Sequence, residues 1–290
     1  MPATSPFPLP GLHPDPYAAD GRARLAPGLR VVRRGTDLLQ VGLEPDRRVL
    51  LPRDPASAEV LHALRADAPL PTSPAARRVV HALLERGCLQ VRPDAAPAAA
   101  VALLDDLAGD PDDPVSTVRL LEGAGVAVTP WTEGADAVLV RSRGECDRDR
   151  LDPLVRAGTP HLLLRLVDGE ALLGPFVAPG LTCCLRCVDA HRAVTDPDHH
   201  AVTTRYVEAG ARPREDGVPD LADPALVALV TAAAVREVAA YVRGEEPPGW
   251  SRTRRWTGTA DEPVVQAWAR HPRCGCSWAP DDHAWGTMGV

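Results

Sequence analysis

Gly174-Pro175-Phe176-Val177-Ala178-Pro179-Gly180-Leu181-Thr182-Cys183-Cys184-Leu185-Arg186-Cys187 is the stretch that decides how the rest of this 290-residue chain reads. It ends in a C-x-x-C pair, Cys184 and Cys187, and a C-x-C pair, Cys274 and Cys276, follows about ninety residues later. Four thiolates in two close pairs can surround a tetrahedral Zn²⁺ at about 2.3 Å per bond and leave no open position for water, so the spacing predicts a structural zinc site. Cys183 reads as a nonligand because Cys184 and Cys187 have the knuckle spacing. A shell that uses Cys183, or a redox pair, remains the alternative. The Pro179-Gly180 turn can aim backbone amides at the sulfurs, and His191 with Asp189 is expected to shape the helix that follows the pair.

Upstream of the cysteines, residues 98 to 290 alternate strands and helices. Strands are expected at Ala98–Leu104, Val126–Thr129, Ala137–Arg141 and His161–Val167, with helices near Pro114–Glu122 and Asp149–Ala157. That alternation predicts an α/β domain with a doubly wound, mostly parallel sheet. A long helix is expected from Pro224 to Arg243, capped by Asp223, begun by Pro224 and ended by Gly244. Trp250, Trp256, Trp268, Trp278 and Trp285 crowd the last fifth of the chain and read as packing around the zinc.

The first ninety residues have a different texture. Residues 1 to 23 form a proline-rich arm. Residues 24 to 92 carry three short extended runs, Leu29–Arg33, Leu38–Val41 and Arg48–Leu51, parted by turn signals at Gly35 and Pro45-Asp46. Asp54-Pro55 and Ser73-Pro74 then each open a helix with an N-cap oxygen and proline at the first helical position. Gly87 stops the second helix, and Cys88–Val91 can return as a strand. A β-meander followed by helices is winged-helix in style, and 93 to 97 read as a linker.

Composition removes several chemistries. The chain has no Lys, Ile or Asn, so all 32 of its basic residues are Arg. No lysine is present to grip a phosphate, form a Schiff base or act as a base. The net charge of -7 is uneven: residues 24 to 92 carry an excess of +5 while 93 to 290 carry -11, which suits a first module that favours an acidic partner. The longest apolar run, Ala225 to Val235 broken by Thr231, is shorter than the roughly 20 residues of a membrane span, and no signal pattern opens the chain, so a cytoplasmic protein with no membrane partner is expected. Cys88 and Cys146 read as inert thiols, and His199-His200 with Asp196 and Asp198 as a solvated loop rather than a metal site.

With Asp189-Ala190-His191-Arg192 behind it, the 174–187 stretch resembles the zinc-knuckle region of ThiF-like proteins of the E1-like superfamily, and His271-Pro272-Arg273-Cys274-Gly275-Cys276 resembles its second half. The order of modules over nearly the whole chain resembles the branch that assists YcaO cyclodehydratases in azoline-forming peptide biosynthesis. Members of that branch join a PqqD-like, winged-helix leader-peptide module to a ThiF-like body. The resemblance implies a precursor or leader peptide and a YcaO-type enzyme as partners, and a homodimer.

Active members of the superfamily adenylate a C-terminal carboxylate, and this sequence departs from them. Where a glycine-rich turn should follow the first strand stands Asp105-Asp106-Leu107-Ala108-Gly109-Asp110, whose carboxylates repel phosphate. Gly123-Ala124-Gly125, the only G-x-G, leaves a helix to enter a strand, the reverse of the required context. No cysteine lies between Cys187 and Cys274 to serve as the superfamily's nucleophile. The expectation is a non-catalytic scaffold with structural zinc and no ATP. A leader peptide would add to the edge of the Arg47, Arg48, Val49, Leu50, Leu51 strand, with its acidic residues meeting Arg47, Arg48, Arg77 or Arg78. The alternatives are an E1-like adenylating enzyme with an atypical, Arg-built nucleotide site, and a winged-helix nucleic-acid-binding protein.

Overall fold

The computed structural model describes residues 15–17, 22–91, 99–111, 113–210, 212, 216, 223–258 and 262–277. Most of the proline-rich arm, the 93–97 linker, Ala98, Trp278 and Trp285 lie outside the described residues. The chain divides into two compact units, residues 8–97 and a body from residue 98 onward.

In the first unit β2 (Val31–Arg34), β3 (Leu38–Val41) and β4 (Val49–Pro52) form an antiparallel meander. β1 (Ala23–Leu25) pairs antiparallel with β5 (Leu89–Val91). Gly42 permits the β3–β4 turn: its φ is 77°, and a Cβ there would stand 2.6 Å from the Arg47 carbonyl oxygen. Helices α1 (Pro55–Ala66) and α2 (Pro74–Glu85) begin as the sequence expects. The Asp54 carboxylate accepts from Ser57 N–H at 2.8 Å and the Ser73 hydroxyl accepts from Ala76 N–H at 3.2 Å, each followed by proline. Val60, Leu61, Leu64, Val79, Val80 and Leu83 pack against Val41, Val49 and Leu51 to make the core.

The body is built on a seven-stranded sheet in the order β12-β11-β10-β9-β8-β6-β7. Its parallel part is β7 (Ala127–Thr129), β6 (Ala100–Asp105), β8 (Ala137–Arg143) and β9 (His161–Val167). The expectation of a mostly parallel sheet needs correction. β10 (Glu170–Val177), β11 (Arg252–Trp256) and β12 (Val264–Ala267) extend it antiparallel, so the sheet is mixed. The Asp168-Gly169 turn makes β9–β10 a hairpin, with Asp168 and Gly169 both at positive φ. Gly174 lies so close to β11 that a Cβ would overlap the Arg252 carbonyl.

Strand alternation assigns the two faces. On one, Leu139, Leu162, Leu164 and Leu173 pack with α3 (Thr117–Gly123) and α7 (Pro224–Val242). On the other, Val138, Val140 and Leu163 pack with the cysteines and with α4 (Arg148–Arg156) and α5 (Leu185–Arg192). Both faces are covered, which is why residues 137–140 of β8 and 162–164 of β9 read as apolar runs. Among the described residues α7 alone is long and apolar enough to cross a membrane by length and composition. It is a core helix here: Leu226, Val227, Val230, Ala234 and Val238 are buried in the body, and its buried Glu237 pairs with Arg254 and accepts from Gly249 N–H. Trp250 and Trp256 also sit on this α7 face, so only Trp268 among the described tryptophans packs beside the cysteines.

Candidate metal centre and the crevice above the sheet

The chain arrives at the first cysteine pair by a locked turn. The Thr182 hydroxyl donates to the Phe176 carbonyl at 3.1 Å and accepts from Ala178 N–H at 2.7 Å, which fixes the end of β10 and delivers Cys184 as the N-cap of α5. The second pair arrives behind β12. There the His191 ring meets the Ala269 carbonyl at 2.9 Å through Nε2 and packs edge-on against His271, while Arg270 donates to the Gly180 carbonyl at 2.6 Å. His191 therefore anchors the C-terminal segment to α5, a wider role than shaping its own helix.

Cys184, Cys187, Cys274 and Cys276 converge with all four Sγ atoms within 4.8 Å of one another. The separations are 3.5 Å for Cys184–Cys274, 3.4 Å for Cys187–Cys276 and 3.8 Å for Cys184–Cys187. A tetrahedron with metal–sulfur bonds of about 2.3 Å has edges of about 3.8 Å, so the cluster matches a four-thiolate shell. His271 N–H donates to Cys187 Sγ at 3.3 Å, the kind of outer contact that steadies a metal-bound thiolate. The Cys184 contact, ahead of those from Cys276 and His271, holds the Cys187 thiol below the usual thiol range. Cys183 stands outside the four, and burial pushes its thiol up to about 12.

Behind the metal centre lies a buried charge network that sequence reading did not anticipate. Arg148 grips Asp189 with two hydrogen bonds of 2.8 Å and reaches Glu145 at 2.6 Å, while Glu145 also accepts from Arg165 at 2.8 Å. Burial opposes ionisation of Glu145 and Asp189, yet their arginine partners prevail and hold both carboxyls below their ordinary values. His199 Nε2 lies 3.2 Å from Asp189, so the His199-His200 pair belongs to the start of α6 (His199–Gly210) and not to a loop. Cys146 is buried, and desolvation pushes its thiol up to about 11; burial likewise raises Cys88.

The crevice where α/β folds usually hold a nucleotide is at the carboxyl ends of β6 and β8, where the strand order reverses. Here it is acidic. Arg141, 1 % exposed, projects from β8 opposite Asp105 and donates to Asp105 at 2.8 Å and to Asp113 at 2.9 and 3.0 Å; it also contacts the Thr117 hydroxyl. Arg143 pairs with Asp110 beside it. Asp110 and Asp113 of the loop after β6 thus fold onto arginines of the sheet, and α3, only seven residues long, starts behind them.

In the first unit, β4 is an edge strand whose Val49 and Leu51 side chains are buried at 6 % and 2 % while Leu50 is 45 % exposed. Of this strand a peptide could meet the backbone edge and Leu50, with Val49 and Leu51 closed off in the core. Arg48 and Arg78 are exposed. Arg47 donates to the Gly87 carbonyl at 2.9 Å, and Arg77 lies 4.5 Å over the Tyr17 ring, which packs beside α2.

No family model and no curated protein sequence matches the chain. Several solved structures share its fold. The heterocyclase TruD is 18 % identical with a TM-score of 0.59, over 90 % of this chain and 43 % of its own. A heterocyclase in complex with substrate and cofactor is 16 % identical with a TM-score of 0.54, over 85 % of this chain and 38 % of its own. The Microcin C7 biosynthetic enzyme MccB, in complex with N-formylated MccA, is 13 % identical with a TM-score of 0.51, over 88 % of this chain and 99 % of its own. The chain spans less than half the length of the two heterocyclases. What it has in common with all three is the architecture: the chain has the fold found in TruD and MccB.

Proposed function

We propose that the chain is a non-catalytic scaffold that binds the leader of a ribosomal precursor peptide and presents the peptide to a YcaO-type cyclodehydratase. The observation that carries this reading is the acidic crevice, whose one buried cation, Arg141, is already committed to carboxylates. An ATP phosphate entering at β6 would have to displace Arg141 from Asp105, Asp113 and Thr117 and face Asp105, Asp110 and Asp113, where active relatives need amides and cations. The fold likeness to two heterocyclases and to an MccB–MccA complex supports the peptide-maturation setting. The winged-helix, PqqD-like reading of residues 24–92 is supported by the order of meander and helices, and peptide binding by the open edge of β4, with exposed Arg48 next to it in sequence and exposed Arg78 on α2. The metal is proposed to be zinc, held by four thiolates that leave no position for a reacting water.

Titration calorimetry of ATP·Mg²⁺ into zinc-loaded protein, beside a pyrophosphate-exchange assay with candidate peptides, tests the reading. Silence in both, with saturable binding of a leader peptide, is the expected result. ATP binding with exchange would make the protein an adenylating enzyme and overturn the scaffold.

A further inference from the structure

Between α4, α5 and the second cysteine pair lies a cavity of about 250 Å³ that the scaffold reading does not use. It has room for one amino-acid-sized group rather than a nucleotide. Leu151, Val155 and Leu185 give it apolar walls, the cysteine pairs close one side, and His161 and Arg156 also line it. His161 is 1 % exposed on β9. Its Nδ1 donates to the Thr159 carbonyl at 2.9 Å, which leaves Nε2 as a bare acceptor with no partner among the described residues. Burial lowers its pKa to about 4, so the ring is neutral near pH 7 and the acceptor persists. Arg156 is exposed in the last turn of α4 and makes no ion pair among the described residues, whereas Arg148 and Arg186 beside it are committed to carboxylates.

We propose that this cavity is a binding site for a small aromatic carboxylate that carries an N–H or O–H donor, such as an indole or phenol acid. The apolar body fills the space between α4 and α5, and the ring donor is accepted by His161 Nε2. The electron-rich thiolate wall attracts the positive edge of an aromatic ring and repels a carboxylate, which places the acid at the other end, on Arg156. Each lining group thus meets a different part of one ligand. The cavity shares no lining residue with the crevice at the end of β6.

The test uses the zinc-loaded full chain and four probes in titration calorimetry: N-acetyl-L-tryptophan, its amide, its 1-methylindole analogue, and indole-3-propionate. Saturable binding of N-acetyl-L-tryptophan is expected, weakened about tenfold by loss of the acid and by methylation of the donor. Arg156→Gln should erase the preference for acid over amide, and His161→Leu the preference for N–H over N-methyl. Arg156 is exposed, so that variant reads the site without disturbing the fold. Tighter binding of N-acetyl-L-tryptophan than of indole-3-propionate assigns a peptide end as the source; the reverse assigns a free acid. Absence of saturable binding at millimolar probe, or binding indifferent to both substitutions, overturns the proposal. So does binding that emerges only in Trp278→Ala or Trp285→Ala, which would make the occupant the chain's own tail.

Discussion

Arg141 holds Asp113 through a two-pronged ion pair, 2.9 and 3.0 Å, across the point where the strand order of the sheet reverses. The arginine is 1 % exposed and Asp113 is 10 % exposed, so a pair shielded from water stands where the fold usually keeps an open phosphate pocket.

Arg141→Leu should therefore damage the fold without restoring nucleotide binding. Removal of the cation leaves Asp105 and Asp113 buried against each other, a loss of about 3–5 kcal/mol. A urea melt reads that cost as a lower midpoint, and calorimetry with ATP·Mg²⁺ should stay flat. An unchanged midpoint would mean that the cluster is solvated.

The four cysteines should behave as one cooperative site. The protein should hold one metal ion per chain, and Co²⁺ in its place should give the visible bands of a tetrahedral thiolate centre. Cys276→Ser or Cys184→Ser should lower metal content, while Cys183→Ser should keep it, because Cys183 stands outside the four sulfurs. Elemental analysis after dialysis decides between the two sets. Chelation should loosen the C-terminal segment, since a structural zinc can contribute on the order of 10 kcal/mol.

Much of this site was legible because it depends on spacing. C-x-x-C and C-x-C identify a thiolate shell whatever lies between them, and proline after an N-cap oxygen gave the starts of α1, α2 and α7. Arg141 was not legible as a buried ion-pair partner: it stands inside an apolar strand, and its partners Asp105 and Asp113 lie 36 and 28 residues away, a pairing that only the β6–β8 register creates. The Asp-rich loop could be read as hostile to phosphate, but its ion pairs with Arg141 and Arg143 could not. β11 and β12 escaped because the Arg-rich run 252–255 and the exposed Val264–Ala267 lack the buried alternation that marks a strand. His161 looked like the first residue of an apolar strand, and nothing local revealed the cavity beside it.

His161 should make stability depend on pH. Burial, ahead of the opposing hydrogen bond to Thr159, lowers its folded-state pKa from 6.5 to about 4. The unfolded chain thus takes up a proton that the folded chain refuses, and stability present above pH 6.5 is lost as pH falls towards 4. The full effect is about 3 kcal/mol. Urea midpoints at pH 7.5 and pH 5 should differ less in His161→Leu than in the parent protein. Equal differences would place the titration elsewhere, for instance on the thiolates.

The β4 edge makes a sharper prediction because adjacent residues point in opposite directions. Leu50 is 45 % exposed and Leu51 2 %, so aspartate at the two positions should separate recognition from folding. Leu50→Asp should leave the urea midpoint almost unchanged and weaken a fluorescent leader peptide about tenfold or more in anisotropy titrations, because a carboxylate on the docking edge repels an acidic peptide and disfavours the added strand. Leu51→Asp should instead bury a charge beside Val60 and Val80 and lower stability by several kcal/mol, read as a lower midpoint, with peptide binding lost only as folding is lost. If Leu50→Asp left peptide affinity untouched in a fully folded chain, the edge of β4 would not be the docking strand. β2, the other open edge of the same meander, would then be the place to repeat the test.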